Sequence, residues 1–313
     1  MGKKEKIAAK IGGKRVARAK KPESIYDQPY VYVATPAYDG KVDTDYSQSL
    51  AESAFTCAIL GVRFCAAVMG NGAFIDLARN FFVKIFLEDY PDCTHLFFID
   101  SDLKFEARGV AELVRHTTAE RPVTCGAYRR RNEVEDYPIR WTPHPELSKD
   151  GVDKLWFDDE GWLMTNRVPT GFLCIRRNIL EEMAKEADTL SFKKEGFVPK
   201  LFYTKLEEDH DGYKFIGEDF SWCDDYIRKY DKQISCWTDF DFVHGGYECN
   251  YHKWMSKNVG QFDDGSMGVA TDRETLGNRE GRRKTAELVD INEESPGEQY
   301  LVEKPGPVEK SND

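Results

Sequence analysis

From residue 29 to residue 255, short apolar runs of strand type alternate with longer segments of helical period, and no other feature of the chain constrains its fold as strongly. Strands need partners, and amphipathic helices need a sheet face to cover. The combination predicts an α/β fold, with a mixed but mostly parallel sheet flanked by helices. The first strand is YVYVATP, residues 30–36, closed by Pro36. SQSLAESAFTCAILG predicts a helix with a serine near its start and Gly61 past its end. VRFCAAVM then leads through NGAF into the helix DLARNFFVKIFLEDY, with Asp76 as N-cap and Pro91 beyond its end. HLFFID at 95–100, a helix over Ala107–Thr118 and the strand PVTCGAY follow. Further on, KLWFDDEGWLMTN predicts a hairpin around Asp159–Gly161, and GFLCIRR a strand before the helix NILEEMAKEA. After GYKFIGED come the helix FSWCDDYIRKY, the strand ISCW and the segment FDFVHGGY.

The rest of the chain differs in composition. Residues 1–28 read as a flexible basic arm, with nine Lys or Arg among the first 22, and residues 256–313 as a polar, disordered tail. Neither segment has enough apolar surface to offset its ordering entropy. The net charge of -11 argues against a body broadly attractive to nucleic acid. No apolar run approaches the ~20 residues of a membrane helix, which places the chain in the cytoplasm with no membrane span. The eight cysteines show no CxxC pair and read as reduced core thiols.

The strongest chemical signal is LFFIDSDLKF, where Asp100 and Asp102 stand at the C-terminal end of an apolar strand. Open α/β sheets bind ligands at that end. Two carboxylates one residue apart can hold a divalent cation, Mn2+ or Mg2+, that also grips the phosphates of a nucleoside diphosphate. Alternatively, the two aspartates only end the strand and cap the next helix.

Taken in order, ARN within a helix, HLFFIDSD, CGAYRRR, VPTGFLCIRR and the GED helix resemble the GT-A (Rossmann-like) fold of nucleotide-sugar glycosyltransferases over residues 29–254. They are similar to glycosyltransferases of bacteria, phages and large viruses. The resemblance implies a single catalytic domain that moves a sugar from a nucleoside-diphosphate donor to an acceptor hydroxyl; inversion is the favoured outcome, and a retaining enzyme shares the same fold and DxD. GED matches an acidic motif beneath the acceptor site, which in an inverting enzyme makes Asp219 the general base and Glu218 an acceptor support; alternatively, the two acids only answer the positive end of the helix. His244, in FDFVHGGY, would complete the metal shell with Asp100 and Asp102, and its imidazole would favour manganese. Thr35, Pro36, Ala37, Tyr38 and Asp39 would meet the nucleoside, Arg79 and Ser101 would help hold the donor, and Asp100 would serve both donor and metal.

Other residues keep two readings. Arg129, Arg130 and Arg131 suit the diphosphate, an anionic acceptor or a solvated turn. Gly171 admits an acceptor or makes a turn, and His244 is a ligand or a hydrogen-bonded core histidine. Trp141, Trp156 and Trp162 form a sugar-stacking wall or pack in the ordinary way, while His252 lies near the surface. The expected acceptors are a polysaccharide, a lipid-linked sugar, a protein or modified DNA. Two other functions fit less well. A nucleotidyltransferase would want a glycine-rich basic loop where PAYDGKVDTD is acidic. A nucleic-acid-binding accessory protein would combine the basic arm with an inactive GT-A-like body.

Overall fold

YVYVATPA is buried on both sides along most of its length, as befits a strand inside a helix-covered sheet. The computed structural model describes residues 28–70, 74–149, 152–209, 212–261 and 267–270. The first elements are β1 (Tyr30–Ala37), α1 (Thr44–Ile59), β2 (Arg63–Gly70), α2 (Ile75–Asp89) and β3 (His95–Ile99). They are followed by β4 (Leu103–Phe105), α3 (Ala107–His116), β5 (Val123–Gly126), β6 (Arg140–Trp141), β7 (Val152–Lys154) and β8 (Leu163–Arg167). Next come β9 (Phe172–Arg176), α4 (Arg177–Glu186), β10 (Thr189–Phe192), β11 (Gly196–Pro199), β12 (Lys205–Asp209) and β13 (Gly212–Ile216). The last are α5 (Glu218–Tyr230), β14 (Ile234–Trp237), β15 (Phe242–His244), β16 (Tyr247–Cys249), α6 (Tyr251–Asn258), β17 (Gly260–Gln261) and β18 (Met267–Ala270).

An eight-stranded sheet in the order β2-β1-β3-β9-β5-β14-β8-β6 forms the centre. β2, β1 and β3 are mutually parallel, as are β5 and β14; β9 and β8 run antiparallel to their neighbours, so the sheet is mixed. Alternation along β1 sorts the helices. Tyr32 packs on Phe82 and Phe86 of α2, whereas the Thr35 hydroxyl is bonded to Tyr46 of α1. Tyr32 and Thr35 have opposite parity, so α1 and α2 cover opposite faces. α3 packs beside α1 and α4 beside α2, which gives a three-layer α/β/α body. Phe97, Phe98, Phe172, Phe202 and Trp222 are among the large side chains of the core and bury most of their surface in edge-on or stacked contacts.

Some boundaries differ from expectation. α1 starts at Thr44 after Asp43, and Ser47 lies one turn in, its hydroxyl donating to the Asp43 carbonyl. Phe74, not Asp76, occupies the capping position of α2. Asp76 sits in the first turn, where its carboxylate accepts from the Leu77 amide and faces the positive helix end. The hairpins β10–β11 and β12–β13 form in the polar stretch before GED, and β4 leaves β3 to join β15 and β16 in a small separate sheet. α6 crosses the expected boundary at residue 255, and β18 pairs with β7 beyond it. Residues 1–27 and 271–313, which hold nearly all of the predicted arm and most of the predicted tail, lie outside the described residues. Among the described residues no helix is long and apolar enough to cross a membrane. All eight cysteines are unpaired thiols, buried except for half-buried Cys65.

Candidate functional site

Asp100 follows the last residue of β3, and the chain turns there, with the Leu103 amide donating to the Asp100 carbonyl at 3.3 Å. The Asp100 amide donates to the Gly171 carbonyl at 3.0 Å, tying this turn to the start of β9. β4 then runs antiparallel to β15 in a register that sets Leu103 opposite His244. That register brings His244 to Asp102, the residue before Leu103, with 3.4 Å between Nε2 and Oδ1. A three-residue strand pair thus joins positions 142 apart (244 − 102).

Around Asp100 the contacts are dense. Its Oδ2 accepts from the Tyr128 hydroxyl at 3.0 Å, and the same hydroxyl accepts from the Gly171 amide at 2.9 Å. A Cβ on Gly171 would stand 2.1 Å from both Asp100 Oδ2 and the Tyr128 oxygen, so only glycine fits. The Asp100 Oδ1 faces Arg79 Nη2 at 3.4 Å. Arg79, 3% exposed, also donates through Nη1 to Glu218 Oε1, and its Nε is buried without an acceptor among the described residues. Burial opposes the Arg79 charge, but Glu218, Asp100 and Asp219 together outweigh it and hold the guanidinium above its ordinary pKa.

α5 begins at Glu218 after Gly217, so both acids of GED occupy the first turn. The Asp219 Oδ1 accepts from the Phe220 amide at 2.8 Å. Burial, followed by the charge of Glu218, raises the Asp219 pKa to about 7, against the opposing pull of Arg79. A carboxylate poised there can take a proton from a hydroxyl near neutral pH.

Asp102 and His244 form a second centre. Burial raises the Asp102 pKa, but His244 and Arg131 more than offset it and hold the group below the usual carboxylate range. Arg131 Nη1 donates to Asp102 Oδ2 at 2.5 Å. Burial pushes the His244 pKa down, yet the hydrogen bonds to Asp102 and to the Arg129 carbonyl bring it above the ordinary value. His244 Nδ1 donates to that carbonyl at 2.7 Å, an arrangement that orients the ring and aims Nε2 at Asp102. Asp102 and His244 together offer one carboxylate and one imidazole, and the carboxylate is also engaged by Arg131. The predicted triad is not gathered: both Asp100 oxygens are engaged by Arg79 and Tyr128. Among the described residues no group of three His, Cys, Asp or Glu is arranged to hold a metal.

The remaining predicted residues divide by exposure. Thr35 is fully buried against Tyr46 and Ala37 is 1% exposed, so their side chains are withdrawn from a nucleoside. Pro36 and Ser101 are half-buried, while Tyr38 and Asp39 reach solvent and Asp39 pairs with Lys41 at 3.2 Å. The loop from β1 is drawn towards the aspartates by the Asp43 amide, which donates to the Ser101 carbonyl at 2.9 Å. Trp141 and Trp162 are core residues and Trp156 packs beside His144, so the three tryptophans form no exposed wall; His252 is exposed, as expected. Tyr128 was missed by sequence reasoning, because a tyrosine after a strand carries no signal of its own. The Arg167–Asp224 pair, bonded at 2.7 and 2.8 Å, was missed because its partners lie 57 positions apart on different elements.

A cleft of about 390 Å3 opens beside Asp219 and His244 and is also lined by Tyr128, Arg129, Pro169 and Phe215. A larger depression of about 570 Å3 lies at the other end of the sheet, near Arg115 and Gln233, and contains none of these acids. Ligands of open α/β sheets bind at the carboxyl ends of strands, which favours the smaller cleft.

No protein-family model matches the chain. No curated protein matches it either. Among solved structures it is similar to A197 from STIV, with 13% identity, covering 78% of this chain and 95% of that one, at a TM-score of 0.41. It is also similar to a glycosyltransferase involved in the glycosylation of the major capsid of PBCV-1. Identity there is 9%, coverage 49% of this chain and 63% of that one, and the TM-score 0.29.

Proposed function

We propose that the chain is a GT-A-type glycosyltransferase that moves a sugar from a nucleoside-diphosphate donor to an acceptor hydroxyl with inversion. One observation carries this reading: Asp100 at the end of β3 and Glu218 at the start of α5 converge on the buried Arg79, with Asp219 beside them on the cleft. A base near pKa 7, flanking a fixed cation at the carboxyl edge of a sheet, is what deprotonation of a hydroxyl next to a phosphorylated donor requires.

Asp219 acts as the base, taking the acceptor proton as the oxygen attacks the anomeric carbon. Glu218 is held by Arg79 and keeps α5 and Asp219 in position, while Tyr128 and Arg79 fix Asp100. Pro36, Tyr38, Asp39 and Ser101 form the nucleoside side of the site. Mn2+ or Mg2+, held by Asp102 and His244, would offset the charge on the leaving diphosphate.

Calorimetry of the protein with UDP, GDP, CDP and ADP, each with manganese and with chelator, tests this reading. Binding of one nucleotide that needs manganese and is lost in Asp102→Ala is expected. Asp219→Asn should still bind the nucleotide and lose transfer. A folded protein that binds none of the four would overturn the assignment.

A further inference from the structure

Arg129 is 7% exposed, yet among the described residues no carboxylate pairs with it. Its Nη2 donates to the carbonyls of Asn132 at 2.8 Å and Glu133 at 3.3 Å, and its guanidinium lies 4.8 Å from the Tyr247 ring centre. Its Nε is buried with no acceptor among the described residues. A buried guanidinium with only neutral partners is costly, and a protein that retains one has a use for its charge. Arg129 lines the cleft beside Asp219 together with Arg130, Arg140, Arg167 and Lys214, five cations against one acid. Asp136 and Asp224 pair with Arg130 and Arg167, whereas Arg129 is the buried cation of this lining that meets only carbonyls and a ring among the described residues.

We infer that this cleft holds a phosphate group of the acceptor, with Arg129 as the buried cation that receives it. The inference rests on the transferase reading for the word acceptor, while the anion site stands on Arg129 and the cleft. Guanidinium forks match phosphate oxygens in pairs, and a group held there lies next to Asp219, on the β13 side of the site. Leu206 and Phe215 stand opposite each other on β12–β13, and Tyr213 shares their face. All three are exposed, and Phe215 also lines the cleft. The phosphate can therefore belong to a soluble ester or to the headgroup of a lipid whose chains meet that apolar face.

The test titrates the full chain with methyl phosphate, glucose 1-phosphate and phosphatidic acid vesicles, with phosphatidylcholine vesicles as control and UDP in parallel. Binding of methyl phosphate is expected, weakened about tenfold or more in Arg129→Gln, with UDP affinity unchanged. Retained near-ultraviolet dichroism shows that the variant is folded; if it is not, Lys214→Gln on the rim should weaken phosphate binding on its own. Tighter binding to phosphatidic acid vesicles than to either soluble ester identifies a lipid headgroup, and the reverse order a soluble one. Equal weakening of methyl phosphate and UDP would assign the cleft to the donor diphosphate and overturn the inference. So would the absence of methyl phosphate binding in the folded wild type. Phosphate binding without binding of any nucleotide would leave the anion site standing and remove the transferase reading.

Discussion

Arg79 and Glu218, 139 residues apart in the chain, are joined by a hydrogen bond between Nη1 and Oε1 that couples α2 to the first turn of α5. Both side chains are largely buried, at 4% and 15% exposure, so neither has water to fall back on. Removing one partner strands the other. Arg79→Gln is expected to cost about 3–5 kcal/mol in urea unfolding. Adding Glu218→Gln should return part of that loss, because the stranded charge is removed too. Additive losses in the double variant would show that the pair is not coupled.

Gly171→Ala should displace Asp100. The added Cβ would stand 2.1 Å from the Asp100 carboxylate and the Tyr128 hydroxyl, and one of them must move. Overpacking of this kind costs about 1–3 kcal/mol, and nucleotide binding should weaken with it. Tyr128→Phe in the same background removes one of the two collisions, and rescue of binding would locate the clash. A Gly171→Ala protein with wild-type stability and binding contradicts the geometry.

Asp219 should give transfer an acidic limb. Its pKa is raised to about 7, so the base is lost as pH falls through that value and activity rises across it. The stability sign is opposite. A carboxyl whose folded pKa lies above its ordinary 3.8 contributes stability below that value, and the contribution is lost as pH rises through about 7. Asp219→Asn should therefore abolish transfer and gain stability relative to wild type under alkaline conditions. A variant less stable than wild type there would contradict the assignment.

His95 contributes a loss of stability in acid. It is 5% exposed, its Nε2 donates to the Thr117 carbonyl at 2.9 Å, and burial lowers its pKa from 6.5 to about 4. The unfolded chain takes up the proton first, so stability is complete above about 6.5 and falls as the pH drops towards 4. The total loss is about 3 kcal/mol from this group. Asp219 acts in the opposite sense over the same range, so the comparison is with the variant: in urea unfolding, wild type should lose stability relative to His95→Asn as the pH falls from 6.5 towards 4. Equal slopes would remove His95 as the cause.

Local features of the fold were legible in the sequence because they depend on neighbours in the chain. Period two and period 3.6 located β1, β3, β5, β9, α4 and β14 within a residue or two of their observed ends, and the GED acids fell in the first turn of α5 as expected. Asp100 and Asp102 were placed at the carboxyl edge of a strand for the same reason. The hairpins of residues 189–216 gave no such signal, since short polar strands show little periodicity.

Tertiary structure alone decided what those acids touch. Whether Asp100 meets a metal or Arg79 and Tyr128 depends on α2, β5 and β9 packing around one turn, and the Asp102–His244 approach depends on the register of β4 against β15. That no carboxylate among the described residues pairs with buried Arg129 is equally a property of the assembled cleft. Sequence determines periodicity over a few residues, whereas burial and ion pairing join groups more than a hundred positions apart. Only the folded chain brings such groups within bonding distance, and desolvation and pKa follow from that proximity.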